Sequence, residues 1–239
     1  MVGVLMQENR TAMRNMSRTG GSLGAWLLRC AAWLVGGGLL WVARVATGVR
    51  PLWQGTVPRA VQRVYFANHG SHGDFVMIWA SLPPALRRMT RPVAGQDYWL
   101  ASGMRRFVAS QVFRALLINR SPQPGEPSPV DHMARTLSEG DSLIIFPEGT
   151  RNTSESPLLP FKSGLYHLAQ QYPDAELIPV WIDNIRRVIP KGEWIPVPLI
   201  CTVSFGAPLE RLPQESKDAF LVRARDAVLV LRPAESLSC

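Results

Sequence analysis

From about residue 60 onward, short apolar runs alternate with longer stretches of helical spacing, the signature of a layered α/β domain. The runs predict strands near Val61–Ala67, Pro92–Ala94, Ala115–Asn119, Ser142–Phe146, Glu176–Ile182 and Leu199–Phe205. Between them the spacing predicts helices over Asp74–Ala80, Ala101–Phe113, Val130–Glu139, Gly164–Gln171 and Ser216–Leu231. Ser128, followed by Pro129 and Asp131, supplies an N-terminal cap for the third helix. Ser121–Pro129 is a Pro-rich loop and Ile185–Pro198 a second irregular stretch, with no internal repeat or interdomain linker. The expected architecture is a single α/β domain over 60–239, with a central mostly parallel or mixed sheet flanked by helices.

The pattern changes ahead of this domain. Leu23–Ala43 is almost continuously apolar, with Arg29 as its only charge, close to the roughly 20 residues that cross a bilayer. Arg29 lies near enough to one end to snorkel, while Gly36, Gly37 and Gly38 weaken the middle of a helix. A spanning helix and one lying in the interface fit about equally, and a buried core helix is the alternative. Trp26, Trp33, Trp41 and Trp53 are the amphipathic aromatics that favour headgroup depth. The expectation is a membrane-associating helix over 23–47 preceded by a basic segment, 1–22. A cleaved signal peptide fits less well, since no small-x-small site follows the apolar run.

Composition narrows the classes. At 46% hydrophobic and 18% charged residues, the 239-residue chain buries enough surface to fold, which excludes intrinsic disorder as its main state. Its net charge of +8 is carried mainly by Arg and points to anionic partners. The excess is concentrated: seven Arg against Glu8 within residues 1–60, and seven against Asp97 within residues 85–120. Basic residues beside a Trp-bearing apolar segment suit an anionic membrane surface, and no nucleic-acid-reading motif accompanies them. Cys30, Cys201 and Cys239 are odd in number and widely spaced, so neither a disulfide framework nor a zinc knuckle is implied, and a reducing compartment is expected.

Two clusters carry candidate chemistry. Asn68-His69-Gly70-Ser71-His72-Gly73-Asp74 follows the first predicted strand directly. On a continuous helix His69 and Asp74 would point about 140° apart, whereas with His69 on a loop and Asp74 in the first helical turn they meet. A carboxylate holding one imidazole nitrogen leaves the other as a general base. A structural cap is the competing reading of such a pair. With no Gly-x-Ser-x-Gly elbow and no activated cysteine, the proton would come from a substrate hydroxyl. His69, His72 and Asp74 lack metal-ligand spacing, so no metal is expected. The second cluster, Phe146-Pro147-Glu148-Gly149-Thr150-Arg151, ends a strand in a turn whose amides around Gly149 and Thr150 form an anion nest beside the Arg151 guanidinium. Arg120 and Lys162 are further cations along the chain.

His69-x-x-x-x-Asp74 followed by Phe146-Pro147-Glu148-Gly149-Thr150-Arg151 resembles the glycerolipid acyltransferases of the 1-acylglycerol-3-phosphate acyltransferase type over about residues 60–210. Arg114-Ala-Leu-Leu117-Ile118-Asn119-Arg120 resembles the family's block Gly-x-x-Phe-Ile-x-Arg, retaining Ile118 and Arg120 and departing at Arg114 and Leu117. Leu177-Ile178-Pro179-Val180 matches its apolar strand with Pro, and Phe161-Lys162-x-Gly164 is also similar. The resemblance implies acyl transfer from acyl-CoA or acyl carrier protein to a lysophospholipid hydroxyl at a membrane, on its cytoplasmic face, without metal or cofactor. It implies His69 as base, Asp74 as its partner, and Glu148, Gly149, Thr150, Arg151, Arg120 and Lys162 as the residues binding the acceptor, most simply 1-acyl-sn-glycerol 3-phosphate. Another lysolipid, an acylated amino-acid lipid or water as acceptor, and a non-catalytic basic membrane-binding module, are the alternatives. No feature of the sequence sets an oligomeric state.

Overall fold

The computed structural model describes residues 23–71, 73–183 and 201–233. The basic leader 1–22, His72, the irregular stretch Ile185–Pro198 and Cys239 lie outside the described residues. The strands are β1 (Arg50–Trp53), β2 (Arg63–Ala67), β3 (Thr90–Gly95), β4 (Leu116–Ile118), β5 (Ser142–Ile145), β6 (Glu176–Asp183) and β7 (Thr202–Phe205). They form one sheet in the order β1-β7-β6-β2-β5-β3-β4. Every pairing is parallel except the antiparallel β6–β7 contact, so the sheet is mixed.

Strands at the centre of such a sheet are covered on both faces and read as continuous apolar runs, as β2 does after Arg63, β5 after Ser142 and β6 between Glu176 and Asp183. Alternate residues of β2 serve opposite layers. Tyr65 and Ala67 join a core completed by Phe75, Met77 and Ile78 on one side, while Val64 and Phe66 join Met133, Leu165, Leu168 and Phe220 on the other. The first layer holds α1 (Leu23–Thr47), α2 (Asp74–Ser81), α3 (Pro84–Arg88), α4 (Gln96–Trp99) and α5 (Gly103–Phe107). The second holds α6 (Pro129–Ser138), α7 (Gly164–Gln171) and α8 (Lys217–Leu229). Arg63, fully buried at the start of β2, is held there by Glu176, 2.9 Å from its Nε, and by the Val57 carbonyl at 2.9 Å.

Three departures from the sequence reading have local causes. The expected helix Ala101–Phe113 is α5, capped by Ser102, followed by a π-helical turn at Val108–Val112. The helices α3 and α4 have five and four residues, too few for a period to register. β1 has no alternating pattern and exists through its pairing with β7.

The N-terminus of α6 is a capping box: Ser128 Oγ accepts from the Asp131 amide and Asp131 Oδ2 from the Ser128 amide. Ser128→Ala is expected to lower unfolding free energy by about 1 kcal/mol, read from the shift of a denaturant midpoint, with the site undisturbed.

Helix α1 lies against the π turn, where a Cβ on Gly36 would stand 3.1 Å from Val112 Cγ1, and Leu39 packs on the core. Its other side leaves Trp26, Trp33, Trp41, Leu27, Leu28 and Leu34 exposed, Trp33 to 78%. Among the described residues no helix is long and apolar enough to cross a membrane.

Because β2, β3, β4, β5 and β6 run the same way, their C-terminal ends collect along one edge. Ligands of open α/β sheets gather at such an edge. β1, which follows α1 after two residues, also starts there, since Arg50 pairs with Thr202 and Thr202 with Asp183.

Candidate active site

Chain geometry builds the site from the first two loops at that edge. Asn68 ends β2 by pairing with the backbone of Ile182 in both directions, its amide nitrogen donating to the carbonyl at 3.0 Å and its oxygen accepting from the N–H at 2.8 Å. The chain then leaves the sheet at His69. It enters α2 at Asp74, the arrangement that lets residues five apart face each other. His69 Nδ1 lies 2.8 Å from Asp74 Oδ2. The same oxygen accepts from the amides of Gly70 at 2.7 Å and Ser71 at 2.9 Å.

Asp74 is 1% exposed, and its second oxygen has no hydrogen-bond partner among the described residues. Since Oδ2 already accepts from two amides, His69 faces it with Nδ1 as the donor, and Nε2 is the ring nitrogen turned away from Asp74. The ring stacks on Phe146 at a centroid distance of 4.3 Å and an interplanar angle of 18°, which restricts its rotation.

The Pro-Glu-Gly turn after β5 grips the same residue from beside it. Glu148 Oε1 accepts from the His69 amide at 2.7 Å, and the Asn152 amide donates to the His69 carbonyl at 2.7 Å. Gly149, Thr150 and Arg151 therefore arch alongside His69, with Gly149 half-buried and Thr150 and Arg151 exposed. Gly149 adopts φ +70°, the left-handed conformation that favours glycine, and a Cβ there would stand 2.6 Å from Lys162 Cε, so the Lys162 side chain lies directly over it. Lys162 crosses this turn, with its amide bound to the Pro147 carbonyl at 2.8 Å.

Arg120 is the sequence-predicted residue that stands apart. It follows β4, the edge strand, three places from β2 in the sheet, or about 14 Å sideways at about 4.8 Å per strand. Its guanidinium lies over Gly95, where a Cβ would meet Nε at 2.7 Å, beside Asp97. Arg120, Arg151 and Lys162 form no ion pair among the described residues.

Glu148 departs most from the sequence reading. It is 3% exposed, and its oxygens accept from two backbone amides, His69 (2.7 Å) and Leu159 (2.8 Å), so its carboxylate is turned toward backbone inside the protein. Arg114, where the resembling block has Gly, takes φ 50° and pairs with Asp141 at the opposite edge. The block's glycine position is thus a left-handed one, and the departure stays clear of the site. Asn68, Phe146 and Asn152 were missed: the first and last act largely through backbone contacts, which no residue pattern records. Burial pushes the Cys201 thiol up to about 11, reinforced by the charges of Asp183 and Asp74, so it is no nucleophile.

An imidazole anchored by a buried carboxylate at the C-terminal edge of a mixed α/β sheet, with an Arg-bearing turn bound to its backbone, has the geometry that a general base acting on a hydroxyl requires. The acyltransferase family model matches residues 54–183, over half of the chain, and the chain belongs to that family. It is 28% identical over 183 residues to the 1-acyl-sn-glycerol-3-phosphate acyltransferase of Limnanthes douglasii, covering 74% of this chain and 59% of that protein. It is 31% identical over 160 residues to 1-acyl-sn-glycerol-3-phosphate acyltransferase alpha of Mus musculus, covering 65% of this chain and 53% of that one. The chain thus spans between half and three fifths of the length of these relatives. In fold it is similar to the crystal structure of the 1-acyl-sn-glycerophosphate acyltransferase PlsC from Thermotoga maritima, with a TM-score of 0.62, 18% identity, and coverage of 87% of this chain and 82% of that one.

Proposed function

We propose that the protein transfers an acyl group from a thioester donor, acyl-CoA or acyl carrier protein, to the free hydroxyl of a lysophospholipid, with 1-acyl-sn-glycerol 3-phosphate as acceptor and phosphatidic acid as product. The observation that carries this reading is the 2.8 Å contact between His69 Nδ1 and Asp74 Oδ2, in a residue whose backbone is bound to the Arg151 turn. His69 Nε2 removes the hydroxyl proton as the oxygen attacks the thioester carbonyl. The C–O bond forms, the tetrahedral intermediate collapses with cleavage of the C–S bond, and the proton passes from the imidazolium to the departing thiolate. Asp74 stabilises the imidazolium, no acyl-enzyme forms, and no metal or cofactor takes part.

Arg151, Lys162 and the amides of Gly149 and Thr150 bind the acceptor's phosphate, with Arg120 at the outer edge of the cleft. The exposed tryptophans of α1 enter the lipid interface beside the edge where the site opens, which suits an acceptor drawn from a membrane on its cytoplasmic face.

An assay of purified protein with one labelled acyl-CoA and a panel of lysolipids, including an acylated amino-acid lipid, read by product mass, tests this reading. Phosphatidic acid from the lysophosphatidate arm is expected. Thioester cleavage at the same rate without lysolipid would make the protein a hydrolase, and no transfer to any acceptor would leave it a binding module. Arg151→Ala is expected to raise the acceptor's KM by about 10- to 100-fold with kcat little changed, since a charge-assisted contact made equally in ground and transition states affects binding alone. A loss confined to kcat would contradict that role.

A further inference from the structure

A carboxylate among phosphate-binding residues is a chemical oddity, because it repels the ligand its neighbours attract. The structure resolves it through burial and geometry. Glu148 lies under the turn, and its carboxylate joins two separated stretches of backbone: Oε1 to the His69 amide at 2.7 Å and Oε2 to the Leu159 amide at 2.8 Å. The other backbone group of His69, its carbonyl, is taken by the Asn152 amide at 2.7 Å. Asn152 in turn stiffens the limb leading to Leu159, its Oδ1 accepting from the Ser154 amide and hydroxyl and its Nδ2 donating to the Ser156 carbonyl. His69 is thereby held at both polar groups of its backbone, while Asp74 and Phe146 hold its ring.

We propose that Glu148 is a positioning residue, which sets the His69 backbone and through it the direction of Nε2, and that it makes no contact with the acceptor. The inference rests on the acyl-transfer reading and assigns Glu148 to the turnover step of that reaction. A buried carboxylate is fitted to this role because it accepts from two amides at once in charge-assisted bonds, whereas a glutamine of the same shape has one acceptor oxygen and turns an NH2 group against the other amide.

The experiment compares wild type and Glu148→Gln by steady-state kinetics with varied lysophosphatidate, and by hydrogen exchange at the His69 and Leu159 amides in the absence of substrate. Displacing a base by about 1 Å lowers turnover by about 10²-fold, so kcat should fall by up to that order while the acceptor's KM stays within about threefold. Exchange at one of the two amides should quicken. A KM raised about tenfold or more at unchanged kcat would make Glu148 an acceptor-binding residue and overturn the proposal, as would wild-type kcat or wild-type exchange in the variant. Should Glu148→Gln fail to fold, Glu148→Asp, which keeps the charge but falls short of one amide, is expected to give the same split between kcat and KM. A wild-type protein that acylates no lysolipid sinks the acyl-transfer reading alone; the exchange measurement then still decides whether Glu148 holds the His69 backbone.

Discussion

His69→Ala should lose about 10²- to 10⁴-fold in kcat, the range that a positioned general base contributes, while the protein folds and binds lipid as before. The fold is expected to survive because the ring belongs to neither core cluster: it stacks on Phe146, and the backbone of residue 69 stays tied to Glu148 and Asn152. The loss should appear in kcat with nearly constant KM, since the hydroxyl proton moves only in the transition state. Kinetics alongside a thermal melt separate this from unfolding. Full activity in a folded variant would remove His69 from the mechanism.

The second large effect is expected from Asp74→Asn, which separates the charge of the carboxylate from its geometry. All three donors at this side chain, His69 Nδ1 and the amides of Gly70 and Ser71, converge on Oδ2. An asparagine therefore places its carbonyl oxygen there and its NH2 where Oδ1 lies, so that the loop and the ring orientation persist. What disappears is the buried negative charge beside the developing imidazolium. A fall in kcat of about 10²-fold is expected, with the melting temperature moved little. Asp74→Ala should lose more, because the Gly70 and Ser71 amides then lack their acceptor and the loop loses its anchor. An asparagine variant as active as wild type would show that Asp74 only shapes the loop.

The legible parts of this molecule were those written in side-chain type. The buried strands β2, β5 and β6 appear as apolar runs, the capping residues of α6 as a Ser-Pro-x-Asp sequence, and the His69–Asp74 pairing follows from a loop preceding a helix. Strand order was not legible. β5 comes late in the chain yet inserts between β2 and β3, which sets the Arg151 turn against His69 and leaves Arg120 at the sheet's outer edge. Spacing along the chain carries no trace of that insertion. The role of Glu148 was hidden for a related reason: its partners are amide groups common to nearly every residue, so only coordinates reveal that it faces His69 and Leu159. The short β1 likewise depends on a strand far along the chain, β7, whose Thr202 pairs with Arg50.

The account depends on Asp74 acting through His69 and not on the substrate directly. The most direct test is the kcat of the His69→Ala/Asp74→Ala double variant set against the two single variants. Residues that work as one unit are non-additive, so the double variant should be no slower than His69→Ala alone. A double variant whose loss equals the product of the two single losses would mean that the carboxylate and the imidazole contribute independently, and the mechanism would have to be abandoned.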